Sequence, residues 1–323
     1  MILLLAMVLA LAACSGGTNA DDKNTDSSED TYTIGVLYLD QEVLLSEATA
    51  GCQAYAAEHS NVKLIEYNAN KDVSTQLKQC ENLISQNVDA IALTPVDGAG
   101  CDQIINACKD AGIPLICFHA KVNGAPITNI LFDNVGFGKM QVDYAMEIFE
   151  KNGGDMNGTI NVGIVTGKLD NQNAVERCQG YEEQLKNYAN ATIVDEQVGS
   201  WNRDDAMAIA ENWITSGRDI DIILSNNDAM AIGISLAYAN ANVERPIIIG
   251  VGGTEEGLTA ILNGDFDGTV FQPAYQNGYD AIDFTVKYLN GETLEESYVT
   301  EGVLVTPETA QATLDNLNAM LNS

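Results

Sequence analysis

The side chains best placed to do chemistry lie in residues 222–233, where a strand-like run gives way to polar residues and then to a helix pattern. Asn226 and Asn227 follow the predicted strand, and Asp228 is predicted to be the N-cap of the helix. Ligands of open α/β sheets bind outside the carboxyl ends of the strands. A carboxamide both donates and accepts hydrogen bonds, so the asparagine pair suits an uncharged, polyhydroxylated ligand. A capped turn that holds no ligand is the alternative.

Composition limits the classes of function that the chain can have. The 323 residues are enough for two domains, and a hydrophobic content of 46% supports real cores. The 46 acidic residues outnumber the 15 basic ones, which gives a formal net charge of -31. We therefore expect no nucleic-acid partner and no charge-driven docking on anionic lipid, because both need a basic surface.

The cysteine and histidine pattern argues against a metal site. Cys101 and Cys108 share an apolar helical stripe, which is typical of small buried hydrophobes. No cysteine pair has C-x-x-C spacing, and neither histidine lies near a cysteine pair, so we expect no zinc. Residues 155–161 offer too few oxygen ligands for calcium, and we expect no cofactor. Disulfides are possible in an exported protein, but the sequence does not give their connectivity.

The N-terminus carries an export signal. Residues 1–13 form an apolar run too short to span a bilayer, which ends in Leu11-Ala12-Ala13-Cys14. This ending resembles the lipobox of bacterial lipoproteins, in which the cysteine takes the lipid, although no basic residue precedes the run. Residues 1–14 are thus predicted to be a lipoprotein signal peptide and residues 15–30 a disordered acidic tether. A plain signal peptide, with Cys14 incidental, is the alternative.

From Tyr32 onward, strand-like runs alternate with amphipathic helical runs, which predicts right-handed crossovers and parallel sheets. A break near Phe132 separates two α/β units of similar size. The predicted strands cover residues 34–38, 62–67, 90–93, 113–118, 127–132, 160–165, 193–197, 222–224, 246–251 and 268–272.

The stretch at residues 222–233 and the motifs around it, taken in order over residues 33–305, resemble the type I periplasmic binding proteins of the ribose and galactose type. The resemblance implies two doubly wound parallel-sheet lobes joined by a three-stranded hinge. It places the chain crossings near Phe132, Gln272 and Gly302. The N-terminal lobe would be residues 31–132 plus 273–301, and the C-terminal lobe residues 133–272 plus 302–323.

The resemblance also assigns ligand-binding roles. Arg177 matches an arginine that forks onto sugar oxygens, and Trp201 matches an aromatic residue that stacks on the sugar face. Asn227 and Gln272 match amides that bond sugar hydroxyls. The alternatives are a surface ion pair for Arg177, a core position for Trp201 and a purely structural amide for Gln272.

Three further candidates are weaker, and the cleft departs from the family pattern. Asn173 is a candidate ligand-binding residue whose alternative is a plain N-cap. His119-Ala120 stands where the family has Asp or Asn followed by a basic residue, and Phe132 replaces a serine. A capped strand end is the alternative for His119. Gly252 stands where the family usually has an aspartate. We therefore expect a pocket with fewer carboxylates, and a ligand with fewer hydroxyls or with an acid or ring that suits His119 and Phe132.

The implied function is a substrate-binding lipoprotein of an ABC importer that captures a monosaccharide or polyol by hinge closure. It would be an extracytoplasmic monomer, anchored to the cell membrane by lipid only and partnered by the permease subunits. A receptor subunit that hands its closed form to a sensor kinase is the alternative. A repressor would need an N-terminal DNA-binding helix pair, and no hydrolase or nucleotide motif is present, so we expect no enzyme.

Overall fold

The computed structural model describes residues 31–98, 100–122, 124 and 126–322. The predicted signal peptide, the lipid attachment site at Cys14 and the tether lie outside these residues. Among the described residues, no helix combines the length and apolar character needed to cross a bilayer.

The first half of the chain alternates strands with helices, as the pattern predicted. Its elements are β1 (Tyr32–Tyr38), α1 (Val43–Glu58), β2 (Val62–Asn68), α2 (Val73–Ser85), β3 (Ala90–Leu93), α3 (Asp102–Ala111), β4 (Leu115–Phe118) and β5 (Thr128–Phe132). The strands pair in parallel in the order β2-β1-β3-β4-β5. After β1 the chain adds β2 on one side and then β3, β4 and β5 on the other. The helices that follow β1 and β3 therefore cover opposite faces of the sheet and leave a crevice at the carboxyl ends of the strands.

The second half repeats this arrangement. Its elements are α4 (Asn134–Lys151), β6 (Ile160–Thr166), α5 (Gln172–Leu185), β7 (Ala191–Val198), α6 (Arg203–Thr215), β8 (Ile222–Ser225), α7 (Asp228–Ala241), β9 (Ile247–Gly252), α8 (Glu255–Asn263) and β10 (Gly268–Phe271). The parallel order is β7-β6-β8-β9-β10, with the same change of side after β6. The prediction of two doubly wound lobes is confirmed.

The C-terminal part of the chain completes both lobes. Its elements are α9 (Ala274–Leu289), β11 (Ser297–Thr300), β12 (Val303–Val305) and α10 (Ala310–Leu321). Helix α9 packs on α1, and β11 pairs in parallel with β5 at the edge of the first sheet. Strand β12 pairs antiparallel with β10 in the second sheet. The two short strands and α10 were not predicted from the sequence.

The segments that join the lobes are tied together by backbone bonds and a small apolar cluster. The Asp133 amide donates to the Thr300 carbonyl at 3.0 Å. Phe132 and Phe137 pack with Val251 and Val270. The chain thus passes between the lobes close to where β5 and β10 end and between β11 and β12.

Two glycines bring α4 and α5 into backbone contact. A Cβ on Gly138 would collide with the Arg177 carbonyl, and a Cβ on Gly180 would collide with the Val135 carbonyl. Only residues without a side chain allow this approach. This close contact between the backbones of α4 and α5 therefore fixes the position of α5 along α4, and with it the position of Arg177.

Helix starts in the second lobe differ from prediction. Asn227, and not Asp228, is the N-cap of α7, because its side chain accepts from the Met230 amide. Helix α5 begins before Asn173, with Asn171 as its cap, so Asn173 is not an N-cap and Arg177 lies in the second turn. Both differences arise from competition between adjacent polar residues, each of which is a good cap.

Most of the described cysteines are buried, as their stripes predicted. The sulfurs of Cys80 and Cys108 lie 3.6 Å apart in the core of the first lobe, and both are free thiols.

Candidate functional site

Arg177 is the centre of the site in the second lobe. It is 3% exposed, and each nitrogen of its guanidinium has a protein acceptor. Nε donates to Asn134 Oδ1 at 3.0 Å, Nη1 donates to the Asn226 carbonyl, and Nη2 donates to Gln272 Oε1 at 2.6 Å. The group is thus held in one orientation by amide and carbonyl oxygens, and the fork retains further N–H donors for a ligand.

Burial and aromatic rings set the electrostatics of Arg177. Desolvation lowers its pKa to about 10, partly offset by nearby acidic groups, so the side chain stays charged near neutral pH. The guanidinium carbon lies 5.7 Å from the Phe137 ring centroid and 5.6 Å from that of Trp201. Both rings can stabilise the cation through their π faces.

Trp201 and Asn227 are joined beside Arg177. Trp201 has φ 65°, a left-handed backbone conformation, and its ring packs on Gly167, where any Cβ would collide with it. Asn227 Nδ2 donates to the Trp201 carbonyl at 3.3 Å, and Asn227 Oδ1 caps α7. The amide of Asn227 therefore holds the loop that presents the tryptophan and leaves its half-buried side chain at the cleft.

Asp228 places a second buried charge in this lobe. Oδ2 accepts from the Gly253 amide at 2.7 Å and the Thr254 amide at 3.2 Å, and Oδ1 accepts from Thr269 Oγ1 at 2.6 Å. A Cβ on Gly252 would lie 3.0 Å from Asp228 Oδ2. Burial raises the Asp228 pKa, against the effect of these donors. The carboxylate of Asp228 thus lies beside Gly252, the position at which the family usually has an aspartate.

His119 and Phe132 come from the first lobe. His119 follows β4 with φ 71°, and its ring meets the edge of Phe132 with centroids 5.4 Å apart. The buried Nδ1 of His119 has no hydrogen-bond partner among the described residues. Burial, with the Arg177 charge, lowers the His119 pKa to about 4, so the ring is neutral at physiological pH. Phe132 is 3% exposed and packs mainly in the hinge cluster.

Asn173 bridges the lobes. Its Nδ2 donates to the His119 carbonyl at 3.3 Å, and its Oδ1 accepts from Asn134 Nδ2 at 3.2 Å. This places Asn173 between the Arg177 network and the first lobe.

Glu47 is a further candidate residue that the sequence reasoning missed. It lies in the second turn of α1, after the carboxyl end of β1, and is 3% exposed. Its buried Oε2 finds no hydrogen-bond partner in the part of the chain that the structure describes. Burial, with the charge of Asp228 from the other lobe, raises its pKa to about 8. Glu47 and Asp228 are two buried acidic residues that the prediction of a pocket with fewer carboxylates did not consider; that comparison with sugar binders stays a prediction.

The structure therefore gathers all the candidates predicted from the sequence. Arg177, Trp201, Gln272 and Asn227 are joined in the second lobe, and Asn173 links them to His119, which contacts Phe132. The interface holds forked donors, amides, ring faces and unpaired polar atoms. Such a set can complete the hydrogen bonds of a small polar molecule on burial.

The family model described as periplasmic binding protein domain matches residues 36–293. The chain belongs to the periplasmic binding protein family. The predicted resemblance to the ribose and galactose type is confirmed, and membership places the chain outside the cytoplasm.

Relatives of this periplasmic binding protein are matched over nearly the whole chain. The xylitol-binding protein of Mycolicibacterium smegmatis is 30% identical over 96% of this chain and 84% of its own length. The galactofuranose-binding protein YtfQ of Escherichia coli is 25% identical over 89% of this chain and 92% of its own length. A Bacillus halodurans solute binding protein of an ABC transporter, solved with bound myo-inositol, has TM-score 0.80 and 29% identity. That match covers 88% of this chain and 98% of the relative's chain.

Sequence reasoning also overlooked Asn134 and the structural role of Asn226. Asn226 Oδ1 accepts from the Gly167 amide at 2.9 Å, and its Nδ2 donates to the Tyr181 hydroxyl at 3.0 Å. Of the asparagine pair, Asn226 is therefore the one that lies fully within the lobe. A signal for Glu47 was present, since it is an acid four residues before Gly51 on the apolar stripe of α1.

Proposed function

We propose that this periplasmic binding protein is the solute-binding lipoprotein of an ABC importer, and that it captures a monosaccharide or polyol between its lobes by hinge closure. The closed form would be recognised by the permease subunits, and Cys14 would carry the lipid. The relatives named for xylitol, galactofuranose and bound myo-inositol support this class of ligand.

The observation that carries the proposal is the junction at Arg177. A charged fork bonded by Gln272, flanked by Trp201 and linked through Asn173 to His119, offers directed donors and an aromatic face at one point. Polyhydroxylated rings and chains need both. We expect dissociation constants in the micromolar range, worth about -8 kcal/mol.

The two tryptophans of the chain make binding visible by fluorescence. Trp201 lies at the site, whereas Trp213 is 3% exposed and donates to Asp195 in the second lobe. Titration with xylitol, myo-inositol, D-ribose, D-xylose and D-galactose should change the emission of the full chain and raise its melting temperature. Trp201→Phe should lose the fluorescence response, and Trp213→Phe should keep it.

Failure of every neutral solute, and of the amine-bearing solutes described below, to shift the melting temperature would reject the proposed ligand class. A fluorescence response that persists in Trp201→Phe and disappears in Trp213→Phe would move the site away from Arg177.

The lipid anchor is tested separately. Expression in a bacterium fed a labelled fatty acid should label the chain, and Cys14→Ser should abolish the label and release the protein from membranes. Cys178→Ser, at a half-buried thiol far along the chain, is the matched control and should stay labelled. A chain whose labelling survives Cys14→Ser would exclude anchoring at this residue.

A further inference from the structure

Glu47 is buried in the first lobe although none of the described residues neutralises it. The residue is 3% exposed, and its Oε2 has no hydrogen-bond partner there. No acidic residue lies in the first turn of α1, so Glu47 does not act as an N-terminal cap. Leaving a buried carboxylate without a partner is among the most costly arrangements in a folded protein.

Lys71 and Arg177, one cation from each lobe, already have partners. Lys71 of the first lobe forms ion pairs with Glu42 and with Asp40, the latter at 3.4 Å. Arg177 has each guanidinium nitrogen bonded within the second lobe. His119 is neutral, because burial and Arg177 keep its pKa at about 4.

The charge that acts on Glu47 from the other lobe belongs to another carboxyl group, that of Asp228, which raises the Glu47 pKa. Asp228 is 2% exposed and its oxygens are occupied by Gly253, Thr254 and Thr269. It therefore repels a negative Glu47 and offers it no donor.

We propose that the solute captured in this cleft bears an ammonium group, as an amino sugar or amino polyol does, and that Glu47 pairs with it. This inference rests on the proposed function and narrows its ligand class. Arg177, Trp201 and Asn227 bind the hydroxylated part of the solute, while Glu47 determines selectivity for the charged end.

An ammonium fits Glu47 better than a hydroxyl does. A hydroxyl would supply a hydrogen bond but no positive charge, so Glu47 would have to stay protonated beside Asp228. An ammonium supplies several donors and the balancing positive charge together, and such charge-assisted bonds are the stronger kind. Binding of the cation would expel the proton that the raised pKa of Glu47 holds in the free protein.

The test is calorimetric titration of the full chain with matched solutes. The pairs are D-glucosamine with D-glucose, amino-deoxy-scyllo-inositol with scyllo-inositol, and 1-amino-1-deoxyxylitol with xylitol. At least one amine should bind about tenfold or more tightly than its hydroxyl counterpart. Repeating that titration in buffers of different ionisation enthalpy should show release of about one proton per amine bound.

Glu47→Gln keeps the shape of the side chain and removes its charge. It should abolish both the amine preference and the proton release while neutral solutes bind as before. Glu42→Gln, at an exposed, paired glutamate just before α1, is the matched control and should change neither. If Glu47→Gln does not fold, the amine preference and proton release of the wild-type chain still decide between the two ligand classes.

Neutral solutes that bind without any amine preference would reject this inference and leave the proposed function standing. Amine preference that survives in Glu47→Gln would also reject it. If neither member of any pair binds, the proposed function fails together with it. Neutral binding that weakens above about pH 8 would mean that Glu47 acts as a protonated acid, which contradicts the ammonium assignment.

Discussion

The two lobes face the same cleft, but their buried polar side chains differ in whether they have hydrogen-bond partners. In the second lobe, Arg177 and Asp228 are buried charges, and each guanidinium nitrogen and each carboxylate oxygen has a partner within the lobe. In the first lobe, Glu47 and His119 each present a buried atom that no described residue bonds. A lobe whose polar groups are already satisfied holds its geometry before a ligand arrives. The comparison therefore assigns a preorganised cradle to one lobe and unfilled bonding capacity to the other.

The largest effect is expected from the centre of the satisfied lobe. Arg177→Met would leave oxygens of Asn134, Asn226 and Gln272 buried without their donor. We expect the free energy of unfolding to fall by about 3 kcal/mol and solute affinity by about 100-fold or more. Urea unfolding and calorimetry measure the two quantities.

Arg218→Met is the control for Arg177, because it removes a half-exposed arginine whose ion pair with Asp195 lies away from the cleft. It should cost under about 1 kcal/mol and leave affinity unchanged. Equal losses of stability and affinity in Arg177→Met and Arg218→Met would contradict the assignment of a preorganised binding surface to the second lobe.

Asp228→Asn should have the next largest effect. The substitution replaces one acceptor oxygen by an N–H donor. Either the Gly253 and Thr254 amides lose their acceptor, or the Thr269 hydroxyl must turn from donor to acceptor. We expect a loss of about 2 kcal/mol in the free energy of unfolding, measured in urea. Asp204→Asn, at an exposed first-turn acid of α6, should cost about 0.5 kcal/mol or less.

A neutral effect of Asp228→Asn would mean that Asp228 is protonated in the folded chain. The second lobe would then carry fewer fixed charges than the hydrogen bonds indicate, and the two lobes would differ less.

The effect expected at Glu47 depends on pH, and it is the smallest of the three only at mildly acidic pH. The folded pKa is raised from 4.5 to about 8, so between these values the folded chain holds a proton that the unfolded chain has lost. Stability from this group is complete below about pH 4.5 and is lost as the pH rises through about 8. Without ligand, Glu47→Gln should match wild type near pH 4, be more stable by about 1 to 2 kcal/mol near pH 5.5 to 6, and be more stable by up to about 5 kcal/mol near pH 8.5.

Thermal unfolding of both proteins across that pH range measures the difference, with Glu42→Gln as the reference. If the stabilities of wild type and Glu47→Gln differ by the same amount at every pH, Glu47 is already paired or solvated. The first lobe would then not differ from the second in having an unpaired buried carboxyl group.

The sequence was sufficient to predict the alternation of strands and helices and the residues that end the strands. Buried parallel strands leave strong apolar runs, so β3 and β8 were located almost residue by residue. Strands β11 and β12 were missed because they are short, lie at sheet edges and alternate weakly. Local pattern could not decide whether Asn227 or Asp228 caps α7, since both side chains suit that position and only the contacts to Gly253 and Thr269 separate them.

The sequence predicted site residues only where the residue type itself indicates a binding role. Arg177 and Trp201 stood out by type and position. Glu47 gave only a weak signal, an acid on an apolar stripe, because its significance lies in the absence of a partner, which depends on which groups of the other lobe come near it. Sequence spacing within α1 carries no information about Asp228, which is far along the chain.

The placement of β11 and β12 has a consequence for anyone who wishes to divide the molecule. Residues 297–300 form an edge strand of one sheet and residues 303–305 an edge strand of the other, so one short segment of the chain contributes a strand to both sheets. A fragment ending at residue 132 would expose the open edge of β5 and lose the α9 cover of α1. Neither half can be excised as a contiguous piece, and a soluble single-lobe reagent would need residues from distant parts of the gene spliced together.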